Sequence, residues 1–417
     1  MQKERNKERN KVVLLGLLLI AFLSPAPALA QEKGPIKIGF ITTASGPFAQ
    51  MGKDMIDGAS LYLEENTNTM AGRKIDFIIE DEAGEPAVAL TKARKLVEMN
   101  RVHILVGPLM GSSGYALQPY VDSKRMPTVY AVPASDDITQ RKRAKWIIRV
   151  GWNHSQPSHP FGEYAGKVLG YRKISFIGMD YAFGWEVLGG FQRTFEESGG
   201  KIVQKIWCPL NTQDFSPYIA QIRRDSDAVF AALAGKLSMV FLKQYQEYGL
   251  KEKIPILGGG TLTDESILPS LGDEAIGVIS ALHYSAAIDT PINKEFVKKY
   301  REKYGKIPSY YSETCYTAMR WVHQAVNSLG GDVNNPEKVF KALQSIQLKE
   351  TPRGPMRVDS YGGPVQNIYI RKVERVGGEL QNTVIHTYPH VSQFWKYKPE
   401  EFLKLPPYSR DYPPIKP

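Results

Sequence analysis

The sequence predicts an α/β fold made of two tandem units of parallel strands and crossover helices. Three observations predict it. Short apolar runs alternate with amphipathic helical patterns. A polar, proline-bearing stretch breaks the alternation once, after which it restarts. The chain's 417 residues also exceed what one hydrophobic core holds.

Element by element, the first unit opens on the strand "IKIGFITT" and the helix "FAQMGKDMIDGASLYLEEN". The strand "KIDFIIEDE" follows, then the helix "PAVALTKARKLVEMN" with Pro86 in its first turn. The strand "VHILVGPL", the helix "SSGYALQPYVDSKRM" and the strand "PTVYAV" complete it. The stretch "IIRVGWNHSQPSHP" reads as an interruption. The second unit then repeats the plan, though not the sequence. "RKISFIGMD", "KIVQKIWCPL", "DAVFAALA", "IPILGGG" and "IGVISALHY" read as its strands. "GWEVLGGFQRTFEESGG", "SPYIAQIRRDS", "KLSMVFLKQYQEYGL" and the short "DESILPSLG" read as its helices. A long helical region, several strands with turns, and a proline- and aromatic-rich tail expected to lie as a strap end the chain.

Residues 1–30 read as a secretory signal peptide: a charged start, an apolar run too short to span a bilayer, and "SPAPALA" ending in an A-x-A-like site. Cutting after Ala30 and export to the periplasm are expected. The net charge is +10, but the charges are interspersed and only "QRKRAK" is dense, which reads as a solvated loop and not as a nucleic-acid patch. Cys208 and Cys315 fall in different units and read as two separate buried thiols, although the compartment permits a disulfide.

Three corners of the first unit share one chemistry: Ser45-Gly46-Pro47, the run from Gly107 through Gly111, Ser112 and Ser113 to Gly114, and Val132-Pro133-Ala134-Ser135. All are small, neutral and hydroxyl-bearing. At the carboxyl ends of parallel strands they offer backbone N–H and hydroxyl donors to a small anionic or polar molecule. The alternative is that they only cap helices. Motifs of catalysis are missing. "GSSG" is not a nucleophile elbow, Gly258-Gly259-Gly260 lacks the Lys-Ser/Thr of a phosphate loop, and no histidine or cysteine spacing suits a metal. No cofactor, no metal and no catalytic residue are expected.

The chain resembles the exported solute-binding proteins of branched-chain amino acid and amide ABC transporters, the leucine-binding-protein type with the type I periplasmic binding fold. The carriers are "IKIGFITTASGPFAQMGKDMIDGA", "EDEAGEPAVALTKARKLV", "VGPLMGSSGYAL", "VPASDDITQR", "MDYAFGWE" and "FLKQYQEYGLKEKIPILGG", in this order. The resemblance implies two Rossmann-like lobes with parallel central sheets, joined by a three-strand hinge. It places residues 31–151 and 285–347 in the N-terminal lobe, 152–284 and 348–392 in the C-terminal lobe, and 393–417 in the strap. It implies a non-enzymatic receptor that captures a carboxylate, amide or amino acid and passes it to membrane permease subunits. A ligand-sensing receptor on the same fold and an exported α/β hydrolase are the alternatives.

The corners themselves offer Ser45 as a ligand contact, and the resemblance, carried over position by position, implies contacts at Met51, Gly111, Ser112, Ser113, Ala134 and Ser135. In the second lobe it implies Phe183, where amino acid binders present Tyr, with Tyr181 beside it. The acidic residue that holds a leucine ammonium falls at Gly260 or Thr261, and a second-lobe tyrosine at Ala234 or Gly235. The family's cysteine pair falls at Gly84 and Met110. An ammonium left unpaired in a closed cleft is costly. These departures favour a carboxylate on an apolar or aromatic body, or an amide, over an ordinary amino acid.

Overall fold

Six strands form the first sheet of the computed structural model, which describes residues 34–416. They are β1 (Ile36–Thr42), β2 (Thr69–Met70), β3 (Arg73–Asp81), β4 (Ile104–Val106), β5 (Thr128–Tyr130) and β6 (Ile147–Arg149), in the spatial order β2-β3-β1-β4-β5-β6. All pairings except β2 with β3 are parallel. After β1 the chain goes to β3 on one side and then to β4 on the other. The loops leaving β1 and β4 therefore part company and open a crevice, the topological switch point where such sheets bind ligands. The signal peptide expected over residues 1–30, with its cut after Ala30, lies outside the described residues.

The second sheet is mixed. β7 (Lys173–Met179), β8 (Lys201–Cys208), β9 (Ala228–Ala232), β10 (Ile256–Gly259) and β11 (Ile279–Leu282) run parallel in the order β8-β7-β9-β10-β11. Against β11 lies the antiparallel β14 (Pro364–Val376), joined by β12 (Gln347–Leu348), β13 (Met356–Val358) and β15 (Glu379–Val391). Here the switch point is between β7, leading to Tyr181 and Phe183, and β9, leading to Ala234 and Gly235. Candidate residues of both lobes thus sit at the position this topology reserves for ligands.

The chain passes between the sheets three times: after β6, after β11, and into β12. Between the second and third passages, the helices Pro291–Tyr304 and Tyr310–Ser328 pack on the first lobe's helix Ala49–Glu65. The approach is close at Gly58, where an added Cβ would come within 1.9 Å of the Ser312 carbonyl oxygen.

Two expectations are corrected. The interruption at residues 147–160 is a strand, β6, and the start of the helix Ser155–Lys167. Pro157 lies in its first turn, where no N–H is needed, and the helix carries a second proline, Pro160. "DESILPSLG" forms only the short 3-10 turn Leu268–Ser270, because Asp264 and its neighbours bond locally. Cys208 and Cys315 are both free and buried.

Candidate functional site

The first-lobe corners do not cap helices with their side chains. Ser45 and Ser135 occupy N-cap positions, as Met110 does before the helix Gly111–Lys124, and none makes a side-chain cap bond. The backbone donors of that helix's first turn therefore stay available. Glu82 organises two of the corners. Its buried Oε1 accepts from the N–H groups of Leu109 (2.8 Å) and Met110 (3.3 Å) and from the Thr43 hydroxyl (3.1 Å), with Ser113 beside the same carboxyl. Burial pushes its pKa up despite these bonds. The second and third corners touch: a Cβ on Gly111 would come within 2.4 Å of the Ser135 hydroxyl oxygen. Ser45 is exposed at the rim beside Asp81, and Ser112 is also exposed, while Ser113, Ala134 and Ser135 are buried.

Across the crevice, the Met51 methyl lies 3.3 Å from the Cβ position of Gly235, so the two lobes meet here. Gly235 has φ +56 and ψ −134, a conformation effectively reserved for glycine. Ala234 beside it is half-buried. Tyr181 and Phe183 pack ring to ring with centroids 5.9 Å apart. Gly260 and Thr261 sit deeper. A Cβ on Gly260 would strike Leu282 at 2.5 Å, its carbonyl accepts from Arg371, and the Thr261 hydroxyl donates to the Leu233 carbonyl at 2.7 Å. Gly260 and Thr261 are buried, as Ser113, Ala134 and Ser135 are, whereas Ser45 and Ser112 are exposed.

Sequence reading missed the floor between the lobes. From Phe183 the rings continue to His154 (5.2 Å), Trp152 (5.3 Å), Tyr310 (5.8 Å) and Tyr311 (4.0 Å), with His283 6.0 Å from Trp152. His154 and Trp152 come from the stretch set aside as an interruption. Its clustering of aromatic and polar residues between the two α/β units was the available signal. The His154 N–H bonds the Ala134 carbonyl at 2.9 Å, which joins the floor to the third corner.

Under the floor is a buried charged cluster. His154 Nδ1 is 2.6 Å from Glu186 Oε2, which also accepts from the Asp136 N–H at 3.1 Å. Arg149 donates to the carbonyls of Ser135 (2.6 Å) and Trp152 (3.3 Å). Burial dominates the ionisation here. It pushes Glu186 up to about 8 and Asp136 up to about 7, each raised further by neighbouring negative charge. It pulls His154 down to about 3 against the attraction of Asp136. At neutral pH the imidazole is uncharged and Glu186 is mostly protonated. No group of three or more His, Cys, Asp or Glu suited to a metal occurs among the described residues. Among those residues, no helix is long and apolar enough to cross a membrane.

A family model described as periplasmic binding protein matches residues 35–379. A Leu/Ile/Val-binding protein homolog from Brucella melitensis is 31% identical over 389 residues, covering 91% of this chain and 97% of its own. An ABC transporter substrate-binding protein from Sphaerobacter thermophilus superposes with a TM-score of 0.83 at 34% identity, over 86% of this chain and 99% of that one. A solute-binding protein of an ABC transporter from Rhodopseudomonas palustris, in complex with 3,4-dihydroxybenzoic acid, superposes with a TM-score of 0.81 at 32% identity, over 86% and 98%.

Proposed function

The chain belongs to the periplasmic binding protein family, and on that premise we propose that it is an exported receptor for an aromatic carboxylate, which it captures between its lobes and delivers to the permease of an ABC importer. It carries out no bond-making on the solute. The N-terminal lobe is residues 31–151 and 285–347, the C-terminal lobe 152–284 and 348–392, and 393–417 the strap. The signal peptide is cut after Ala30.

The observation that carries this reading is the run of rings from Tyr181 to Tyr311 beside corners that offer only neutral donors. Gly111, Ser112, Ser113 and Ser135 receive the carboxylate at the first turn of the helix Gly111–Lys124, where dipole and free N–H groups favour an anion. Met51, Tyr181, Phe183 and Ala234 enclose the ring, with Ser45 at the rim. The carboxyls nearest the Gly260–Thr261 corner are engaged elsewhere. Asp264 accepts from the Ser266 N–H at 3.0 Å, while Glu265 accepts from the Ala286 N–H at 3.2 Å and lies 3.7 Å from Arg371. An amino acid's ammonium thus lacks a partner there, and a dihydroxybenzoate complex of a relative 32% identical supports the same class of solute. Closure follows because a solute that touches both lobes stabilises the closed form and one that touches a single lobe shifts nothing.

The test is a thermal-shift and calorimetric panel of aromatic acids, branched-chain amino acids and amides. An aromatic acid at 100 times its Kd adds ~2.7 kcal/mol of apparent stability. Tight leucine binding with no aromatic acid bound overturns the proposal.

A further inference from the structure

We propose that His154, held by Glu186, reads a hydroxyl group on the ring of the captured aromatic carboxylate, so that the receptor selects hydroxylated aromatic acids over unsubstituted ones. The inference rests on the aromatic-carboxylate reading above and deepens it.

The placement comes first. His154 stands where three parts of the candidate cleft meet. Its own N–H is bonded to the Ala134 carbonyl of the third first-lobe corner. Its ring meets Phe183 of the second lobe edge-on at 5.2 Å, and Trp152 of the chain passage between the lobes edge-on at 5.3 Å. A solute ring seated against Phe183 and Trp152 therefore has the imidazole at its edge.

The polar atoms come second. Nδ1 is committed to Glu186 Oε2 at 2.6 Å. Nε2 has no partner among the described residues. It is not a sealed orphan either. Nδ1 of His159 and Nδ1 of His283 are closed off without partners, whereas the His154 side chain keeps 11% of its surface and its Nε2 is not among the sealed atoms. A buried polar atom without a partner is costly. An otherwise nine-tenths buried histidine that leaves one nitrogen open is arranged to receive something.

Chemistry selects what it receives. A histidine placed to bind a carboxylate gains most by being cationic, and this one is uncharged. With Glu186 protonated, its O–H donates to Nδ1 across the 2.6 Å contact, and Nε2 carries the imidazole hydrogen and donates. When Glu186 gives up that proton to solvent, the imidazole hydrogen moves to Nδ1 to face the carboxylate, and Nε2 accepts. A ring hydroxyl can both donate and accept, so it matches either state. A carboxylate can only accept, and the neutral N–H groups of Gly111 to Ser113 already suit it. The unused Nε2 thus suits a hydroxyl, while the donors of the Gly111–Ser113 turn suit the carboxylate of the same solute.

The experiment is calorimetric titration of the mature protein with benzoate, 4-hydroxybenzoate, 3,4-dihydroxybenzoate and leucine, repeated on His154→Phe and Glu186→Gln, with thermal unfolding to confirm folding. Wild type is expected to prefer a hydroxylated acid to benzoate by about tenfold or more. His154→Phe keeps the ring contacts and should abolish that preference, leaving benzoate affinity within about threefold, since only the hydroxyl loses its partner. Glu186→Gln still offers Nδ1 a donor, as the protonated carboxyl does, and should keep the preference within about threefold; its loss there also overturns the assignment. Equal loss for benzoate and hydroxybenzoates, or a preference that survives His154→Phe, overturns the assignment of His154 while the aromatic-acid reading stands. Leucine binding without any aromatic acid overturns that reading and this inference with it.

Discussion

Replacing Arg353 with methionine removes a cation from the junction of all three chain passages and leaves its anion behind. Arg353 and Glu313 are fully buried, with their charges 2.7 Å apart. Arg353 also donates to the Val150 carbonyl and to Gln366, both at 3.1 Å. Stripping one partner from a buried ion pair costs about 3–5 kcal/mol, and the two further hydrogen bonds contribute about 1 kcal/mol each. The carboxyl can reduce this cost by taking a proton. Burial already raises the Glu313 pKa while Arg353 opposes the rise, so without the cation it climbs further. An acid whose folded pKa lies above its unfolded value of about 4.3 destabilises the fold increasingly as pH rises between the two. The penalty is therefore smallest near pH 5 and largest near pH 8. Equilibrium urea unfolding at both pH values measures it, alongside Arg353→Met combined with Glu313→Leu. The double variant buries no charge and should recover most of the loss. A penalty under about 1 kcal/mol for the single variant, or a double variant no more stable than the single, refutes the claim that this pair braces the passages.

Stability should also respond to the cluster beneath His154. Glu186 and Asp136 titrate near 8 and 7 when folded, against about 4 unfolded. The stability they supply is full below about pH 4 and lost as pH climbs through 7–8, so wild type should weaken from pH 6.5 to 8.5 and Glu186→Gln should weaken less in a urea series. The histidine acts in the opposite sense but below that window, because its folded value of about 3 lies under its unfolded one. The strap offers a second stability test. Phe402 is buried against His159, with Arg193 and Arg141 over its ring, and Phe402→Ala should cost about 3 kcal/mol in thermal or urea unfolding; an unchanged midpoint sinks the packing assigned to the tail. Gly235→Val places a side chain 3.3 Å from the Met51 methyl in a backbone conformation only glycine adopts readily. It should weaken solute affinity by about tenfold or more through strain of about 1–3 kcal/mol at the point where the lobes meet, and undiminished affinity would mean that closure does not use this contact.

What the sequence disclosed follows from what is local. β1, β4 and β7 are apolar runs cut off by Ser, Gly, Pro or Asp, and the corners after them are legible because small neutral residues at strand ends have few other uses. The helix Ser155–Lys167 escaped because it is buried on nearly every side and so has no polar face to set a period, and because its prolines read as breakers. The cleft floor escaped for another reason. His154 and Glu186 are separate in sequence and meet only when the helix Ser155–Lys167 lies against the helix Ala182–Glu197. Arg353 and Arg371 look like surface charges in a sequence, and nothing local distinguishes a guanidinium that will be sealed among carbonyls.

These braces and the corners divide the electrostatic work between them. On the proposed reading, full charges stand away from the solute: Arg353 against Glu313, and Arg371 among the carbonyls of Tyr284 and Gly260 with Glu265 nearby. Arg353 joins Val150 to Gln366, and Arg371 joins Tyr284 to Gly260, through strong, desolvated interactions. The corners facing the crevice are left neutral, and an anion held there is held by dipoles. A neutral rim costs little to desolvate when the cleft is empty and closes without trapping an unpaired charge. It discriminates by where donors stand and not by net charge, so one scaffold can change solutes by changing a few uncharged residues. By that logic, restoring a carboxylate at Thr261 should not by itself create a leucine receptor. The Thr261 hydroxyl is spent on the Leu233 carbonyl, and the Gly260 carbonyl beside it is already held by Arg371.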